Sequence, residues 1–170
     1  MWSTSGSCTA TLTGHQGSVR CLQAWEYDSN EAVISGGDDS VVRVWRSQVR
    51  PSRRKRAGVS RLRWTCVTLV GHTDSVSCLG LLSDLGVLVS GSLDCSIRLW
   101  DLSGVDATSA TSPDSPNAAQ ASPPSSVCHE QQDPVECLCV LPSSESDSSM
   151  QSVVTASQSV VLWRVSCSRT

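Results

Sequence analysis

The chain has 170 residues, 13 Lys and Arg against 16 Asp and Glu, a formal charge of -3, and nine cysteines with only one Tyr and no Phe. A length in this range supports a single ordinary core, and the near-balanced charge lacks the broad positive footprint of a dedicated nucleic-acid binder. No stretch approaches the roughly 18 to 25 apolar residues of a spanning helix, and no secretory h-region opens the chain.

Taken from the N-terminus, the chain repeats itself. Trp2 stands where a preceding unit would close, and Cys8 to Leu12 reads as a strand. The first unit then runs through Gly14-His15, Val19-Arg20-Cys21-Leu22, Ala32-Val33-Ile34, Ser35-Gly36-Gly37-Asp38-Asp39 and Val41-Val42-Arg43-Val44-Trp45. Short β-branched runs separated by Gly, Asp and Ser predict strands joined by tight reversals.

Arg46 to Arg63 follows as an insertion in which Arg50, Arg53, Arg54, Lys55, Arg56, Arg61 and Arg63 hold seven of the 13 basic residues. With Pro51 and Gly58 it predicts an exposed loop, suited to an acidic partner, nucleic acid or a nuclear import receptor. A solvated surface is the plainer expectation, since no aromatic is interleaved with these charges before Trp64.

A strand from Cys66 to Val70 leads into the cleanest unit. Gly71-His72-Thr73-Asp74-Ser75-Val76, Cys78-Leu79, Gly86-Val87-Leu88-Val89, Ser90-Gly91-Ser92-Leu93-Asp94 and Ser96-Ile97-Arg98-Leu99-Trp100-Asp101 match the first unit element by element. Gly104 to Ser126, rich in Ser, Ala, Thr and Pro, lacks the apolar content to offset ordering, so disorder is expected. Its Ser112-Pro113, Ser115-Pro116 and Ser122-Pro123 pairs are candidate phosphorylation points.

The third unit starts from His129, 57 residues after His72 as His72 is 57 after His15, and ends at Trp163. No Gly precedes His129, Asp133-Pro134-Val135 is displaced by two residues, and no Asp matches Asp39 or Asp94; Thr155 stands where Ser35 and Ser90 do. Pro142 to Met150 is expected to be an exposed loop.

Self-similarity on this scale marks repeat architecture, and the residues quoted resemble the WD40 family, strongly over about the first 102 residues. The resemblance implies an all-β fold of four-stranded antiparallel blades arranged radially, with units around 8–45, 65–100 and 127–163 and insertions at 46–63 and 104–126. It also implies a hydrogen-bonded structural network in each blade: His15, Ser35, Asp39 and Trp45, then His72, Ser90, Asp94 and Trp100. Arg43 and Arg98, each two residues before its Trp, are expected to brace carboxylates or contribute to a surface. Three blades fall short of the four to eight of ordinary closure, so an incomplete propeller with open lateral faces is expected: a truncated product, short isoform, part of an assembly or incomplete gene record. Self-association through those edges follows as an expectation.

Catalytic groups, metals and cofactors are not expected. His, Ser and Asp recur beside Trp without a G-x-S-x-G elbow. Cys137-Leu138-Cys139 is too sparse for zinc and alternates across a strand, while Cys21 and Cys78, six residues after their histidines, and Cys137, eight after His129, follow the repeat, as reduced packing residues do. The functional expectation is a noncatalytic scaffold that binds a protein or peptide through turns at one end, with Gln16, Asp38, Thr73, Asp74 and Leu93 as candidate contacts and a basic partner favoured by Asp38, Asp39 and Asp74. The alternatives are a ubiquitin-ligase adaptor, for which Trp100-Asp101-Leu102-Ser103 lacks the Arg of a Trp-Asp-x-Arg extension, and a regulatory or RNA-associated protein using the Arg-rich segment. The expected compartment is the cytoplasm, or the nucleus through Arg53-Arg54-Lys55-Arg56.

Overall fold

The structure is a computed structural model that describes residues 8, 10–27, 30–50, 61–103, 105, 119–120, 126–128, 131–142 and 150–166. Its described elements are strands, organised as three sheets.

In the first sheet, β1 (Val19–Tyr27), β2 (Asn30–Gly37), β3 (Val41–Arg50) and β4 (Arg61–Val70) pair antiparallel in chain order. The second sheet is built on β5 (Val76–Leu82), β6 (Val87–Ser92) and β7 (Ile97–Asp101). Two short strands follow: β8 (Ala119–Gln120) pairs parallel to β4 on the outer edge of the first sheet, and β9 (Ser126–Cys128) is the fourth strand of the second. The third sheet consists of β10 (Cys137–Leu141), β11 (Met150–Ala156) and β12 (Val160–Ser166). The first two sheets share one local device, a bulge between Val19 and Cys21 that recurs between Val76 and Cys78. Such a bulge re-aims the residue before it.

Among the described residues the three expected antiparallel sheets carry five, four and three strands, the fifth of the first sheet being the parallel β8. Cys8 and 10–12 are not strand, because no third strand among the described residues lies alongside them and a strand needs a ladder partner. The insertion at 46–63 is not loop throughout. The β3–β4 ladder continues through Ser47–Trp64 and Val49–Leu62 to Arg50–Arg61, carried by residue types that favour a pleated backbone. Arg50, Arg61 and Arg63 are thus ladder residues, whereas Arg53, Arg54, Lys55 and Arg56 lie outside the described residues. Of the 104–126 insertion, Val105 is buried and Ala119–Gln120 forms β8, while the Ser-Pro pairs lie outside the described residues.

Alternation along the strands creates two cores. Trp25, Ala32, Ile34, Val42 and Val44 face the second sheet and meet Val76, Leu79, Leu88 and Trp100. The opposite face of the second sheet, with Cys78, Leu82, Val89 and Ile97, meets Val135, Val153 and Trp163 of the third. Each sheet thus stabilises its neighbours by removing apolar area from water. Close approach demands glycine at both seams: a Cβ on Gly36 would stand 2.6 Å from Val76 Cγ1, and one on Gly91 2.5 Å from Val135 Cγ1. At the outer end of the first seam, Arg46 lies 4.7 Å over the Trp25 ring and donates to the Val105 carbonyl, which anchors the chain after β7.

Candidate functional site

The structure brings His15, Ser35, Asp39 and Trp45 together. His15 Nε2 is 2.7 Å from Ser35 Oγ, its Nδ1 is 2.9 Å from both Asp39 oxygens, and the Trp45 indole donates to the same Ser35 hydroxyl at 2.8 Å. The second sheet repeats the arrangement: His72 Nε2 to Ser90 Oγ 2.8 Å, His72 Nδ1 to Asp94 Oδ2 2.9 Å, Trp100 Nε1 to Ser90 Oγ 2.8 Å. A neutral imidazole protonated on Nδ1 satisfies every member. It donates to the carboxylate and accepts the serine O–H, leaving the serine oxygen to accept from the indole.

This polar chain joins the turn before the first strand to the second strand and the turn that follows it. Asp39 also accepts the Gln16 N–H at 2.9 Å; burial opposes its ionisation, but that bond and the His15 contact hold it below the usual carboxylate range. Asp94 is bound more densely, by the Ser96 hydroxyl at 2.6 Å, the Ser96 N–H at 2.9 Å and the Thr73 N–H at 3.0 Å, and despite its burial these hold it far below the ordinary range. Burial pushes the His72 pKa down against the pull of Asp94. Ser96, whose hydroxyl also lies 3.2 Å from His72 Nδ1, was invisible to repeat reading, because Val41 holds the corresponding place in the first unit. Arg43 reaches Thr68 Oγ1 at 3.3 Å and lies 5.9 Å from the Trp45 ring, so it braces the sheet through a hydroxyl and an indole rather than a carboxylate.

The third unit must be realigned. His129 lies outside the described residues, and Gln131 takes the position equivalent to His15 and His72, four residues before the first buried valine of its sheet. Its side-chain amide donates to Thr155 Oγ1, which also accepts the Trp163 indole N–H at 2.9 Å. Counted from Gln131, Cys137 falls six residues on, as Cys21 and Cys78 fall after their histidines. Alignment on Val135 rather than on a histidine was the signal that finds this.

The network holds the turns at one end of the sheets. Gln16, Thr73, Asp74 and Leu93 are exposed there, Leu93 by 39%. Asp38 is not a free acceptor: Arg20 Nε donates to it at 2.6 Å and Ser75 Oγ, from the second sheet, at 3.0 Å, and the Arg20 and Ser75 contacts hold its pKa low. Asp39 is committed to the first network. Asp38 and Asp39 thus have oxygens engaged within the sheets, and the exposed Asp74 accepts the Ser75 N–H at 2.6 Å; Asp133 stands two residues before Val135 as Asp74 does before Val76.

Among the described residues no group of three or more His, Cys, Asp or Glu could hold a metal ion. No helix of the described residues is long and apolar enough to cross a membrane. Burial pushes the Cys21 thiol up to about 12 and the Cys78 thiol up to about 11, which suits packing residues rather than nucleophiles.

The "WD domain, G-beta repeat" family matches residues 6–46 and 64–101. An uncharacterized WD repeat-containing protein of Schizosaccharomyces pombe is 35% identical over 97 residues, spanning 55% of this chain and 22% of its own length. A ribosome biogenesis protein WDR12 homolog of Aedes aegypti is 28% identical over 106 residues, spanning 58% and 24%. The crystal structure of the WD40 β-propeller domain of Doa1 superposes with a TM-score of 0.56 at 19% identity, covering 91% of this chain and 40% of that one. The chain thus spans less than half the length of each of these relatives.

Proposed function

Because the chain belongs to the WD40 repeat family, a noncatalytic β-propeller family suited to protein-protein scaffolding, we propose that it binds a basic peptide segment of a partner protein across the turn end of its sheets. The observation that carries this reading is the hydrogen bond from Ser75 to Asp38, which couples the turns of two sheets into one rigid rim. A pre-organised rim loses little freedom on binding. Asp74 and Asp133 supply the charge that steers a basic segment, and Leu93 the apolar contact beside them.

Display selection of peptides against the intact chain tests this. Selected peptides are expected to be Lys- or Arg-rich, and to lose at least about tenfold in affinity to Asp74→Ala or Leu93→Ala with the urea midpoint unchanged. Peptides that bind these variants as well as the parent would overturn the reading.

A further inference from the structure

The ribbon formed by β3 and β4 outruns the rest of its sheet. The last pair between β2 and β3 is Ala32–Arg46, whereas β3 and β4 stay paired through Ser47–Trp64, Gln48–Arg63 and Val49–Leu62 to Arg50–Arg61. Arg50 and Arg61 are thus directly opposite, a like-charged cross-strand pair that destabilises a ladder, and Arg63 stands two residues further along β4. No Asp or Glu occurs between Ser40 and Thr73 to offset them. On the outer edge of β4, β8 pairs only at Val67–Ala119 and Thr68–Gln120; among the described residues no strand pairs with that edge from Arg61 to Cys66.

Residues 106–118 lie outside the described residues, but both of their fixed ends adjoin this ribbon. Before them, the Val105 carbonyl accepts from Arg46, one rung from Ser47–Trp64. After them, β8 runs parallel to β4. An extended chain leading into β8 therefore comes along β4 from the arginine end, and in the register of Val67–Ala119 it brings Ser115 level with Arg63 and Pro113 level with Arg61. The run from Arg61 to Val67 is about 20 Å of extended chain, as are the run from Pro113 to Ala119 and that from Val105 to Ser112. The segment is long enough to reach the last rung and return. Its charge is complementary: no Lys or Arg occurs between Leu99 and Trp163, and Asp106 and Asp114 lie within it. Pro113 and Pro116 are an odd number of residues apart, so one of them turns its missing N–H to β4. That denies the segment a continuous ladder and leaves charge to hold it.

We propose that this segment, phosphorylated on Ser115, docks in cis on the arginine end of the β3–β4 ribbon, with Arg61 and Arg63 supplying the donors to the phosphate. Ser115-Pro116 suits a proline-directed kinase using ATP: the Ser115 Oγ–P bond forms, the bond from that γ-phosphorus to the β,γ-bridging oxygen breaks, ADP leaves and the hydroxyl proton passes to the kinase's base. The phosphate brings a charge of about -1.5 to -2 and acceptor oxygens that match guanidinium donors. Ser122 is the contrast within the same insertion, because the register that brings Ser115 to Arg63 carries Ser122 level with Val70, away from the arginines. β4 ends at Val70 beside the turn-end rim and begins at Arg61, so the contact lies at the other end of the sheet and is independent of peptide binding at the rim.

Hydrogen exchange of the ribbon amides, 47–50 and 61–64, in full chains phosphorylated at Ser115 alone or at Ser122 alone tests the proposal. Phosphate on Ser115 is expected to slow exchange by about tenfold or more relative to the unmodified chain, equally at every protein concentration, and phosphate on Ser122 to leave it unchanged. Combining Arg61→Gln with Arg63→Gln is expected to abolish the effect of the Ser115 phosphate. Absence of protection from that phosphate, equal protection from the Ser122 phosphate, or protection that survives the two arginine substitutions overturns the proposal. Protection that grows with protein concentration, the mark of a contact between copies, overturns it as well.

Discussion

Gln131 donates its side-chain amide to the Thr155 hydroxyl in the place where His15 meets Ser35 and His72 meets Ser90. An amide reaches the hydroxyl without a carboxylate behind it, and the turn that would carry one is only Ser157 to Ser159, between β11 and β12. The third sheet thus keeps the link from its entry turn to its Trp but loses the link to the following turn.

Thr155 then holds two donors, Gln131 and Trp163, at a fully buried position. Thr155→Val keeps shape and β propensity but strips both of their acceptor, and is expected to cost about 1–3 kcal/mol. Gln131→Ala leaves the indole bond intact and is expected to cost less. Urea unfolding followed by Trp fluorescence measures both; equal losses would contradict this division of roles.

Strand alternation and the polar repeat were legible for the first two sheets because every repeated role is filled by the same residue type at nearly the same spacing. The third is registered by packing rather than by period: His129 keeps the 57-residue spacing but lies outside the described residues, whereas the valine that enters the seam, Val135, is displaced by two. Packing fixes the register, and a lone polar match does not. Pairing of Arg50 with Arg61 is not legible in the sequence, since Pro51, Gly58 and dense charge signal a loop, while the β3–β4 ladder runs on through Ser47–Trp64 and Val49–Leu62 to that pair. The engagement of Asp38 by Ser75 depends on two sheets meeting, which no local pattern encodes.

The two complete networks differ in density, and their carboxylates should differ in worth. Asp94→Ala removes acceptors from the His72 ring, the Thr73 and Ser96 amides and the Ser96 hydroxyl, while Asp39→Ala removes those from the His15 ring and the Gln16 and Val41 amides, Val41 having no hydroxyl to match that of Ser96. Losses of about 2–4 kcal/mol for Asp94 and about 1–2 kcal/mol for Asp39 are expected. Chemical denaturation of both variants decides the order, and an Asp39 loss exceeding that of Asp94 would count against it.

Gly91 is tighter than its counterpart Gly36, with Val135 Cγ1 and Cys78 Sγ 2.5 and 2.6 Å from an added Cβ. Gly91→Ala is expected to destabilise by about 1–3 kcal/mol and to loosen the contact between the second and third sheets. Adding Val135→Ala should recover part of that loss by removing the Cγ1 overlap, measured as a thermodynamic cycle on urea midpoints. No recovery would mean the strain lies in Cys78 instead.

The pH dependence of stability follows from the second network. His72 has its folded pKa lowered, first by burial and further by the charge of Arg98, with Asp94 opposing. The unfolded chain therefore takes up a proton near the ordinary His value of about 6.5 while the folded chain resists it, and the stability held above that value falls as pH drops toward the folded pKa. Asp39 and Asp94 have lowered folded pKa values too, so their contribution is present above about 3.9 and declines below it as the unfolded carboxylates protonate first. The expected profile is a plateau above about pH 7, a first decline starting near 6.5 and a steeper one below about 4. Urea midpoints between pH 3 and pH 8 test this, together with the His72 ring proton shifts in the folded chain. A folded His72 that titrates above 6.5 with stability rising from pH 7 to pH 5.5 would show that the pull of Asp94 outweighs burial, reversing the sign of the first limb.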